Sequence, residues 1–464
     1  MNLKNNKYHF IAIGGIGMSG LAKYLLEKGL EVSGSDIQDS KYLQNLKKLG
    51  ANVFVGHSES NISGTPTVIS STAIKEENVE FKKAKQLNLD ILHRSDLLQL
   101  IAKDFSDNET ATFFGFSGTH GKTTTSGLCS YLLEKAGRKP SYVVGGIIPE
   151  LNDNAHFGSD DYFVAELDES DGTILKYQPD INVINNLEVD HLDFYQGGFD
   201  DLIKIFSQYL KNLKSGSKVI INTDCKGNKE LMKHNEEFDF ITFGLKEANY
   251  TAEEIVYEDF GSSFNILKQG KVLGNVKLTV PGKHNVYNAL AVFAALNEAD
   301  IPVDSFINHF STFSGMGRRF QLSAEFNGIK VIDDYAHHPS EISTTLESAK
   351  KATDSRIVAV FQPHRYSRLK GLWDDFLNCF DNCDKLIVLD VFAASEKPIQ
   401  EADSNTFANQ INHKDATYIS GNMQEAAEKI LPLLKPSDIV LSLGAGDITK
   451  LGSLLKETYN KVTS

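Results

Sequence analysis

The sequence is short of cysteine, of long apolar runs and of positive charge. Four cysteines in 464 residues cannot form a disulfide framework, and Cys379 and Cys383, spaced i, i+4 on a predicted helix, are interpreted as reduced core thiols. No stretch approaches about 18 consecutive apolar residues, so no membrane span is expected, and the first apolar run is too short for a signal peptide. With 47 Lys and Arg against 61 Asp and Glu, the net charge of −14 excludes a chain-wide basic field for nucleic acid. We therefore expect a soluble cytoplasmic protein.

Strand-like and helical runs alternate almost throughout the chain, which is typical of an α/β protein with mostly parallel sheets. The length of 464 residues suggests about three domains. Two segments rich in polar or small residues, 105–110 and 311–317, are interpreted as linkers. They divide the chain into domains predicted at 1–107, 108–317 and 318–464.

The first domain carries a glycine-rich motif. An apolar strand predicted over Tyr8–Ile13 leads into Gly15-Ile-Gly17-Met-Ser-Gly20, a GxGxxG pattern. In a strand–turn–helix setting such glycines let the backbone approach a pyrophosphate at the positive end of the helix. Asp36 lies about 20 residues downstream, where a ribose hydroxyl is usually bound. The motif predicts a Rossmann-like nucleotide site over a merely tight turn, and NAD or a UDP-sugar would use the same geometry.

The second domain opens with a lysine motif. The predicted strand Thr112–Phe116 is followed by Ser-Gly-Thr-His-Gly-Lys-Thr-Thr-Thr over Ser117–Thr125. This is typical of a P-loop, in which backbone N–H groups cradle phosphates, Lys122 reaches the β and γ oxygens and Thr123 binds Mg²⁺. The strict pattern has glycine where this chain has Phe116. Gly-Lys-Thr between a strand and a helix nevertheless favours NTP binding over a structural turn.

Both motifs are followed by predicted helices, Leu21–Lys28 after the first and Ser126–Lys135 after the second. The helices end at Gly29 and Gly137, of which Gly29 suits a left-handed C-cap. These bounds leave the motif residues outside the helices.

Acidic residues near the P-loop are candidate metal ligands. The predicted strand Tyr162–Glu166 runs into a cluster of acids, whose like charges are costly to bury unless a cation neutralises them. We expect Glu166 to bind Mg²⁺, with a solvated acidic loop as the alternative. His191, flanked by carboxylates after a later strand, could bind metal, be oriented by an acid or be a structural histidine.

Side-chain amides open a further predicted helix near residue 284. The segment 281–290 places three polar side chains within one turn, namely those of His284, Asn285 and Asn288. Such groups could read the edge of a nucleotide base or merely cap the helix, and the residues alone do not decide between these functions.

The third domain has four predicted strands, each followed by a polar loop, over Ile329–Ile332, Arg356–Phe361, Lys385–Leu389 and Ile439–Leu443. In open α/β sheets ligands bind beyond the carboxyl ends of the strands. These loops carry histidines and arginines that suit a carboxylate, among them His338, His364, Arg365 and Arg368. We favour a carboxylate site over surface ion pairs. Arg318 and Arg319 at the domain junction are either surface charges or phosphate contacts.

The motifs occur in an order that is known from one enzyme family. They are Gly-Thr-His-Gly-Lys-Thr-Thr-Thr (118–125), Glu-Leu-Asp-Glu-Ser-Asp (166–171), Asp-His-Leu-Asp (190–193), Gly-Lys-His-Asn-Val-Tyr-Asn-Ala (282–289), Gly-Arg-Arg-Phe (317–320) and Asp-Asp-Tyr-Ala-His-His-Pro (333–339). Over nearly the whole chain, this series resembles the Mur ligases. Gly-Gly-Ile-Gly-Met-Ser-Gly (14–20) and Gln-Pro-His-Arg-Tyr-Ser-Arg (362–368) resemble the branch that adds L-alanine to UDP-N-acetylmuramate.

The resemblance implies a fold and a reaction. It implies Rossmann-like first and third domains, for UDP-sugar and amino acid, around a central P-loop ATPase-type domain with a mostly parallel sheet. It implies that ATP and Mg²⁺ serve to join L-alanine to the carboxylate of UDP-N-acetylmuramate through an acyl phosphate, with release of ADP and phosphate, in peptidoglycan precursor synthesis. Nucleic acid is not an implied partner, and neither oligomeric state nor selectivity for L-alanine over glycine or L-serine can be read from the sequence.

The resemblance also implies roles for individual residues. Catalytic roles fall to Lys122, Glu166, His191 and Arg365. ATP is bound by Gly118, Thr119, His120, Gly121, Lys122, Thr123, Thr124, His284, Asn285, Asn288 and Arg319. A first Mg²⁺ is held by Thr123 and Glu166, and a second by Glu166 and His191. The UDP-sugar is bound by Gly15, Ile16, Gly17, Met18, Ser19, Asp36, Ser71 and His191. The amino acid is bound by His338, His364, Arg365 and Arg368.

Three alternatives remain at this point. A tripeptide-adding muramate ligase typically has Asp-Glu-Tyr-Asp where this chain has Asp-Glu-Ser-Asp over 168–171. An NAD-dependent dehydrogenase would use GxGxxG and Asp36 but leaves the P-loop unexplained. A P-loop switch or assembly ATPase leaves the first-domain pocket and the arginine loop without a function.

Overall fold

The computed structural model of the protein describes residues 3, 7–71, 73–169, 172–188, 198–258, 261–394 and 396–463. It confirms the predicted α/β class. The strands are β1 (Lys7–Ile11), β2 (Glu31–Asp36), β3 (Asn52–Val55), β4 (Thr67–Ser70), β5 (Ile91–His93), β6 (Thr112–Ser117), β7 (Ser141–Ile148), β8 (Asp153–His156), β9 (Tyr162–Glu166), β10 (Ile181–Ile184), β11 (Lys218–Asn222), β12 (Phe240–Gly244), β13 (Tyr250–Glu258), β14 (Gly261–Lys268), β15 (Lys271–Leu278), β16 (Gln321–Phe326), β17 (Ile329–Asp334), β18 (Ile357–Phe361), β19 (Lys385–Leu389), β20 (Ala416–Ile419) and β21 (Ile439–Leu443).

Helices connect most of these strands. They are α1 (Ile16–Glu27), α2 (Lys41–Lys48), α3 (Val79–Gln86), α4 (Arg94–Ser106), α5 (Lys122–Lys135), α6 (Phe199–Asn212), α7 (Lys226–Lys233), α8 (Lys283–Glu298), α9 (Pro339–Ala352), α10 (Tyr366–Gly371), α11 (Trp373–Leu377), α12 (Ser404–Gln410), α13 (Met423–Ile430) and α14 (Leu451–Thr463). Within the described ranges, none of them combines the length and the hydropathy that crossing a bilayer requires.

The first sheet is parallel in all four of its strand pairs and has the order β3-β2-β1-β4-β5. This is the order of a doubly wound nucleotide-binding fold, in which the chain reverses direction across the sheet next to β1. The carboxyl ends of β1, β2 and β4 therefore share one edge. The predicted UDP-sugar residues Gly15–Ser19, Asp36 and Ser71 all follow or end these strands.

The second sheet has the order β15-β14-β13-β12-β11-β10-β6-β9-β7-β8. Its pairs from β7 through β9, β6, β10, β11 and β12 to β13 are parallel, and β7 pairs antiparallel with β8. The central sheet is thus mostly parallel, as predicted. Strand β6, which carries the lysine motif at its end, lies between β10 and β9.

The third sheet has the order β16-β17-β21-β18-β19-β20. Strand β16 is antiparallel to β17, and the other pairs are parallel. The predicted strands Lys385–Leu389 and Ile439–Leu443 are confirmed at their predicted bounds. The parallel pairing brings the polar loops after β17, β18 and β21 to one edge of this sheet.

The chain divides into two compact units. The first comprises Met1–Glu254, Phe264–Val276 and Val286–Phe313, and the second comprises Ile255–Ser263, Lys277–Asn285 and Ser314–Ser464. The last boundary falls within the predicted linker 311–317. Each sheet begins and ends within one of the segments 1–107, 108–317 and 318–464, and the three-domain division stays a prediction.

A continuous hydrophobic core explains why the first unit includes two sheets. The ring of Phe163 on β9 stacks on Phe105 of α4 with centroids 4.6 Å apart, and lies 5.1 Å from Phe113 of β6. Tyr24 of α1 meets the same ring edge-on at 6.4 Å. All four side chains are buried. Large aromatic rings packed this way contribute much of the burial energy of a core, so the two sheets stabilise each other.

Two predicted helix starts are wrong. Helix α1 begins at Ile16 and α5 at Lys122, so both helices include residues that were predicted to lie outside them. Glycine disfavours helix interiors by about 1 kcal/mol, but tertiary contacts override this preference. A Cβ on Gly17 would lie 2.8 Å from Nη1 of Arg94, and one on Gly20 would lie 3.0 Å from Nδ2 of Asn154. Only glycine permits this close packing around α1.

The cysteine prediction is correct in burial and wrong in secondary structure. Cys379 and Cys383 are free and buried. They lie beyond the end of α11, outside any helix. Each thiol donates to the carbonyl of the residue three positions earlier, at 3.5 Å for Cys379 and 3.2 Å for Cys383. The two cysteines, spaced i, i+4 in the sequence, therefore lie in turns and not in the predicted helix.

We expect Gly227→Ala to destabilise the protein, because a Cβ at this buried position of α7 would overlap the carbonyl oxygen of Leu187. Overpacking against backbone costs about 1–3 kcal/mol. The thermal unfolding midpoint should fall by several degrees relative to the wild type. Lys229→Ala, on an exposed position of the same helix, is the control and should leave the midpoint nearly unchanged. Equal midpoints for both variants would contradict this packing.

Candidate active site

The glycine-rich turn between β1 and α1 presents backbone N–H groups at a helix start. Gly15 is the N-cap of α1 and has no side chain to satisfy the first N–H groups. Gly15 and Ile16 are exposed, whereas Met18 and Ser19 are buried. The Ser19 hydroxyl donates to the carbonyl of Ile16 at 3.1 Å. The exposed N–H groups and the helix dipole suit an anion, which is the chemistry predicted for Gly15–Ser19.

Asp36 closes this turn from the neighbouring strand. It ends β2, and its Oδ2 accepts a hydrogen bond from the N–H of Gly14 at 3.0 Å. Its Oδ1 accepts from the N–H of Gln38 at 3.1 Å. Ser71 directly follows β4 on the other side of β1. The structure thus brings the predicted nucleotide residues of the first sheet to one edge.

Arg94 is a candidate that the sequence reasoning missed. A Cβ on Gly17 would lie 2.8 Å from its Nη1, so the guanidinium lies beside the first turn of α1. Arg94 is exposed and is the first residue of α4, immediately after β5. A guanidinium next to an open helix N-terminus adds a second anion-binding group. The available signal was its position directly after a strand of the same parallel sheet.

A buried hydrogen-bond network supports the end of β2. Glu80 of α3 is fully buried, and its Oε2 accepts from Nε2 of His9 at 3.2 Å and from the Ser35 hydroxyl at 2.6 Å. Its Oε1 accepts from Nδ2 of Asn61 at 2.7 Å. These bonds fasten β1, β2 and the loop after β3 to one carboxylate. The bond to Ser35 holds the residue directly before Asp36 in position.

The P-loop, Ser117–Lys122, depends on two glycines in left-handed conformations. Gly118 has φ +119° and Gly121 has φ +83°. A Cβ on Gly118 would lie 2.7 Å from the carbonyl oxygen of Asn186, and one on Gly121 would lie 2.7 Å from Oδ1 of Asn288. Both positions therefore require glycine for space as well as for backbone conformation.

The departure from the strict P-loop pattern has a packing reason. Phe116 is fully buried in β6, and Gly115 takes the position one residue earlier. A Cβ on Gly115 would lie 2.5 Å from Cγ of Pro179 and 2.7 Å from Cδ1 of Leu167. The glycine is needed for strand packing, and Phe116 contributes to the core without disturbing the loop that follows.

Two asparagines after β10 hold the P-loop in place. Oδ1 of Asn186 accepts from the N–H of His120 at 2.8 Å, and its Nδ2 donates to the His120 carbonyl at 3.1 Å. Nδ2 of Asn185 donates to the Thr125 hydroxyl at 3.1 Å. The backbone N–H of Thr119 donates to the Asn186 carbonyl at 2.9 Å. Sequence reasoning missed these residues, although Asn-Asn at a strand end beside a P-loop is a usable signal.

Lys122 is tied to a buried acid. Its Nζ lies 2.8 Å from Oε1 of Glu169 and 2.7 Å from the Gly118 carbonyl, and both side chains are largely buried. Burial alone would lower the pKa of Lys122, but attraction to Glu169 outweighs it and raises the pKa above its ordinary value. Burial raises the pKa of Glu169, and Lys122 opposes that change. Lys122 is therefore protonated and positively charged at neutral pH.

The predicted metal ligands Thr123 and Glu166 face a common space beside Gly145. A Cβ on Gly145 would overlap Oε2 of Glu166 and lie 3.0 Å from the Thr123 hydroxyl. Oε2 of Glu166 also accepts from the N–H of Gly145 at 3.0 Å. A hydroxyl and a carboxylate are hard oxygen ligands, so the residues fit Mg²⁺. Within the described ranges, no three His, Cys, Asp or Glu side chains converge on one point, so phosphate and water would complete such a site.

The other predicted ATP-side residues have different surroundings. Asn288 reaches Gly121 of the P-loop, as noted above. Asn285 is buried and donates to the Pro281 carbonyl at 2.7 Å. His284 lies in the first turn of α8 and is exposed. His191, predicted as a metal, catalytic and sugar residue, lies outside the described residues.

The second unit contains a cationic cluster at the edge of the third sheet. The guanidinium carbons of Arg318 and Arg319 lie 5.0 Å and 5.5 Å from the centre of the Tyr335 ring. Arg318 is also bound at 3.2 Å to the buried Asp333 and donates to the Ala445 carbonyl, so it holds the loops together. The phosphate contact predicted for Arg319 stays a prediction.

Three predicted amino-acid residues lie together in this cluster. Nη1 of Arg368 donates to Nδ1 of His364 at 3.2 Å, and the His364 ring stacks on Phe392 at 5.5 Å. Burial, with repulsion from Arg368, lowers the pKa of His364 to about 4. Burial and repulsion from Arg365 lower the pKa of Arg368. Two neighbouring guanidinium groups are suited to binding a carboxylate, because a bound anion would offset the repulsion between them.

His338 has a structural position. It is the N-cap of α9 and forms a capping box with Glu341. Its Nδ1 lies 2.8 Å from the Ser340 hydroxyl, so this nitrogen is used by the cap. Its neighbour His337 instead faces His364, with ring centroids 6.0 Å apart. The amino-acid role of His338 stays a prediction, and His337 is the histidine that the structure brings into the cluster.

Comparison with known proteins places these sites in one family. The Mur ligase family catalytic domain matches residues 7–106, the Mur ligase middle domain matches 116–296, and the Mur ligase glutamate ligase domain matches 318–446. The chain is 38% identical to the UDP-N-acetylmuramate–L-alanine ligase of Geotalea uraniireducens, over 98% of each chain. The chain belongs to the Mur ligase family.

Solved Mur ligase structures share its fold. The UDP-N-acetylmuramate–alanine ligase of Thermotoga maritima is 28% identical, with a TM-score of 0.82 over 98% of this chain and 99% of that chain. A murein peptide ligase from Psychrobacter arcticus has a TM-score of 0.69 over 97% of this chain and 98% of that chain, at 20% identity. The similarity to the murein peptide ligase shows a shared fold only. The P-loop, Glu166 and Asn288 fall within the middle-domain match of this Mur ligase.

Glu80 should make the stability of this Mur ligase depend on acid pH. Burial alone would raise the pKa of Glu80, but hydrogen bonds from His9, Ser35 and Asn61 lower it to about 2 from an ordinary 4.5. The stabilisation, on the order of 3 kcal/mol, is present above pH 4.5 and is lost as the pH falls towards 2. Unfolding midpoints of the wild type and Glu80→Gln should therefore differ most at pH 6, move closer together below pH 4.5 and converge only as the pH approaches 2.

The exposed neighbour Glu77 provides the control for this measurement. Glu77→Gln should follow the wild type across the whole pH range. A constant gap between the wild type and Glu80→Gln from pH 6 to pH 3 would show that the Glu80 charge does not supply the stabilisation.

Proposed function

We propose that this Mur ligase joins L-alanine to the carboxylate of UDP-N-acetylmuramate in the cytoplasm, and that it uses ATP and Mg²⁺. The observation that carries the proposal is the 38% identity, over 98% of each chain, to a ligase named for that reaction. The P-loop, the Thr123–Glu166 pair and the cationic cluster supply chemistry that the reaction needs. ATP dependence is a property of the family.

The first difficulty of the reaction is electrostatic. A carboxylate must approach the γ-phosphate of ATP, and two anions repel each other strongly in a partly buried site. Lys122 offers a firm positive charge at the P-loop. Mg²⁺, held by Thr123 and Glu166, would neutralise phosphate oxygens and polarise the γ-phosphorus. These charges lower the energy of the approach without covalent participation by the protein.

The bond changes then follow in two steps. A carboxylate oxygen of the muramoyl group attacks the γ-phosphorus, the bond to the β–γ bridging oxygen breaks, and ADP leaves. The resulting acyl phosphate is a mixed anhydride with an activated carbonyl. The neutral amine of L-alanine attacks that carbonyl carbon, and a tetrahedral intermediate forms. Phosphate leaves with the C–O electron pair, the nitrogen loses a proton, and the amide remains.

The cationic cluster would hold L-alanine by its carboxylate. Arg365 and Arg368 supply planar pairs of N–H donors that match two carboxylate oxygens. His364 is neutral near pH 7 because its pKa is about 4. Its Nδ1 can therefore accept the hydrogen bond from Arg368 and orient that guanidinium. The amine of L-alanine then lies outside the cluster, where it can attack the carbonyl carbon of the acyl phosphate.

The alternatives have less support. The murein peptide ligase among the structural neighbours is 20% identical to this chain, against 38% for the L-alanine ligase. A dehydrogenase would leave the P-loop and its lysine unused. A P-loop switch would leave the arginine cluster without a ligand.

The reaction itself provides the decisive test. Phosphate release should require UDP-N-acetylmuramate, ATP and an amino acid together, with L-alanine preferred over glycine and L-serine. Lys122→Ala should reduce turnover to background but leave UDP-N-acetylmuramate affinity, measured by calorimetry, within about twofold, since a charge removed at the P-loop does not touch the glycine turn of α1. Phosphate release by the wild type without an acceptor amine would refute the ligase function.

Arg365 should contribute to alanine affinity. A lost hydrogen bond between charged groups costs about 1.5–3 kcal/mol, so Arg365→Ala should raise the KM for L-alanine about ten- to hundredfold. The KM for ATP should change much less. Lys370→Ala on the same helix, which removes only a surface pair with Glu401, is the matched control. Equal rises in both KM values would remove Arg365 from the alanine site.

A further inference from the structure

The ammonium group of Lys122 has no spare donor in this structure. It donates to the Gly118 carbonyl at 2.7 Å, to Oε1 of Glu169 at 2.8 Å and to the Thr119 carbonyl at 3.4 Å. A lysine ammonium has three N–H donors. A phosphate oxygen can therefore gain a direct hydrogen bond from Lys122 only if one of these protein acceptors gives it up.

Glu169 is the acceptor that conflicts with a phosphate. The two backbone carbonyls are neutral and belong to the P-loop itself. Glu169 is the ion-pair partner of Lys122, lies three residues beyond the metal candidate Glu166, and has a side chain only 2% exposed. Water cannot screen a carboxylate at this depth, so a γ-phosphate at the lysine would be repelled by it.

Before the nucleotide binds, the same carboxylate stabilises the charged form of Lys122. An unpaired ammonium at the 12% exposure of Lys122 would be costly, because burial favours the neutral amine. Attraction to Glu169 offsets that cost and keeps the lysine charged. The acid thus occupies the place, in charge and in hydrogen bonding, that a phosphate oxygen takes when the nucleotide is bound.

We propose that Glu169 is a positioning residue that substitutes for the nucleotide phosphate at Lys122 in the empty P-loop and lowers ATP affinity by competing for the lysine. The proposal rests on the ATP-dependent function proposed above. ATP binding then exchanges one anion for another at the ammonium. Part of the binding energy is used to displace Glu169. The enzyme therefore binds ATP less tightly before the reaction and ADP less tightly after it.

Glu169→Gln tests this exchange, because glutamine keeps the shape and one acceptor oxygen but removes the charge. The dissociation constant of a non-hydrolysable ATP analogue with Mg²⁺, measured by calorimetry, should fall about three- to tenfold, since a largely buried opposing charge is removed. Glu134→Gln makes the same change of charge near the far end of α5, about 18 Å from Lys122 along the helix. It should leave the dissociation constant nearly unchanged.

A stability measurement separates competition from a merely structural role. Without nucleotide, Glu169→Gln should unfold at a lower temperature than the wild type, because the lysine has lost its partner. With the analogue at saturation, the midpoints should approach each other, since phosphate then supplies the anion. A deficit of equal size with and without the analogue would overturn the proposal.

The wild type provides a test that does not depend on the variant folding. In a crystal structure with the ATP analogue and Mg²⁺, Nζ of Lys122 should bond a phosphate oxygen and lie beyond hydrogen-bond distance of Glu169. Retention of the Lys122–Glu169 bond beside a bound phosphate, or unchanged or weaker binding by a folded Glu169→Gln variant, overturns the inference. Failure of the wild type to bind the analogue at all would instead refute the proposed use of ATP.

Discussion

The parallel pairing of β6 with β10 on one side and β9 on the other is the constraint on which the nucleotide region depends. The register sets Ile184 beside Ser117, so the next two residues of the chain, both asparagines, meet the P-loop backbone. On the other side the register sets Glu166 beside Phe116, which brings its carboxylate to the threonine at the start of α5. The shape of the P-loop, the position of the metal candidate Glu166 and the surroundings of Lys122 all follow from one strand and its two neighbours.

Sequence reasoning could locate candidate residues where the chemistry is contained in a short local pattern. The P-loop, Asp36 and the arginine loop could be predicted because each follows a recognisable strand, and parallel strands align their carboxyl ends. Asn186, Glu169 and Arg94 were missed because their importance lies in a partner that is distant in sequence. The helix starts failed for a related reason: glycine at positions 17 and 20 indicates a turn by propensity, and only the approach of Arg94 and Asn154 explains its place in a helix.

Neighbouring residues of one type can have unrelated roles, which composition does not reveal. His337 and His338 are adjacent, yet one faces His364 and the other caps α9. Arg318 and Arg319 both lie beside the Tyr335 ring, but Arg318 is also bound to the buried Asp333. A sequence pattern identifies such a pair as important but cannot assign the roles within it.

The aromatic stack around Phe163 limits how the chain can be divided. Phe105 and Tyr24 cover this ring from the segment before residue 108, and all three side chains are buried. A fragment that starts at residue 108 would expose Phe113 and Phe163 to water as a contiguous hydrophobic patch, and such patches promote self-association. The segment boundary that looks natural in the sequence is therefore a poor place to cut when isolated fragments are prepared for crystallisation or exchange between homologous enzymes.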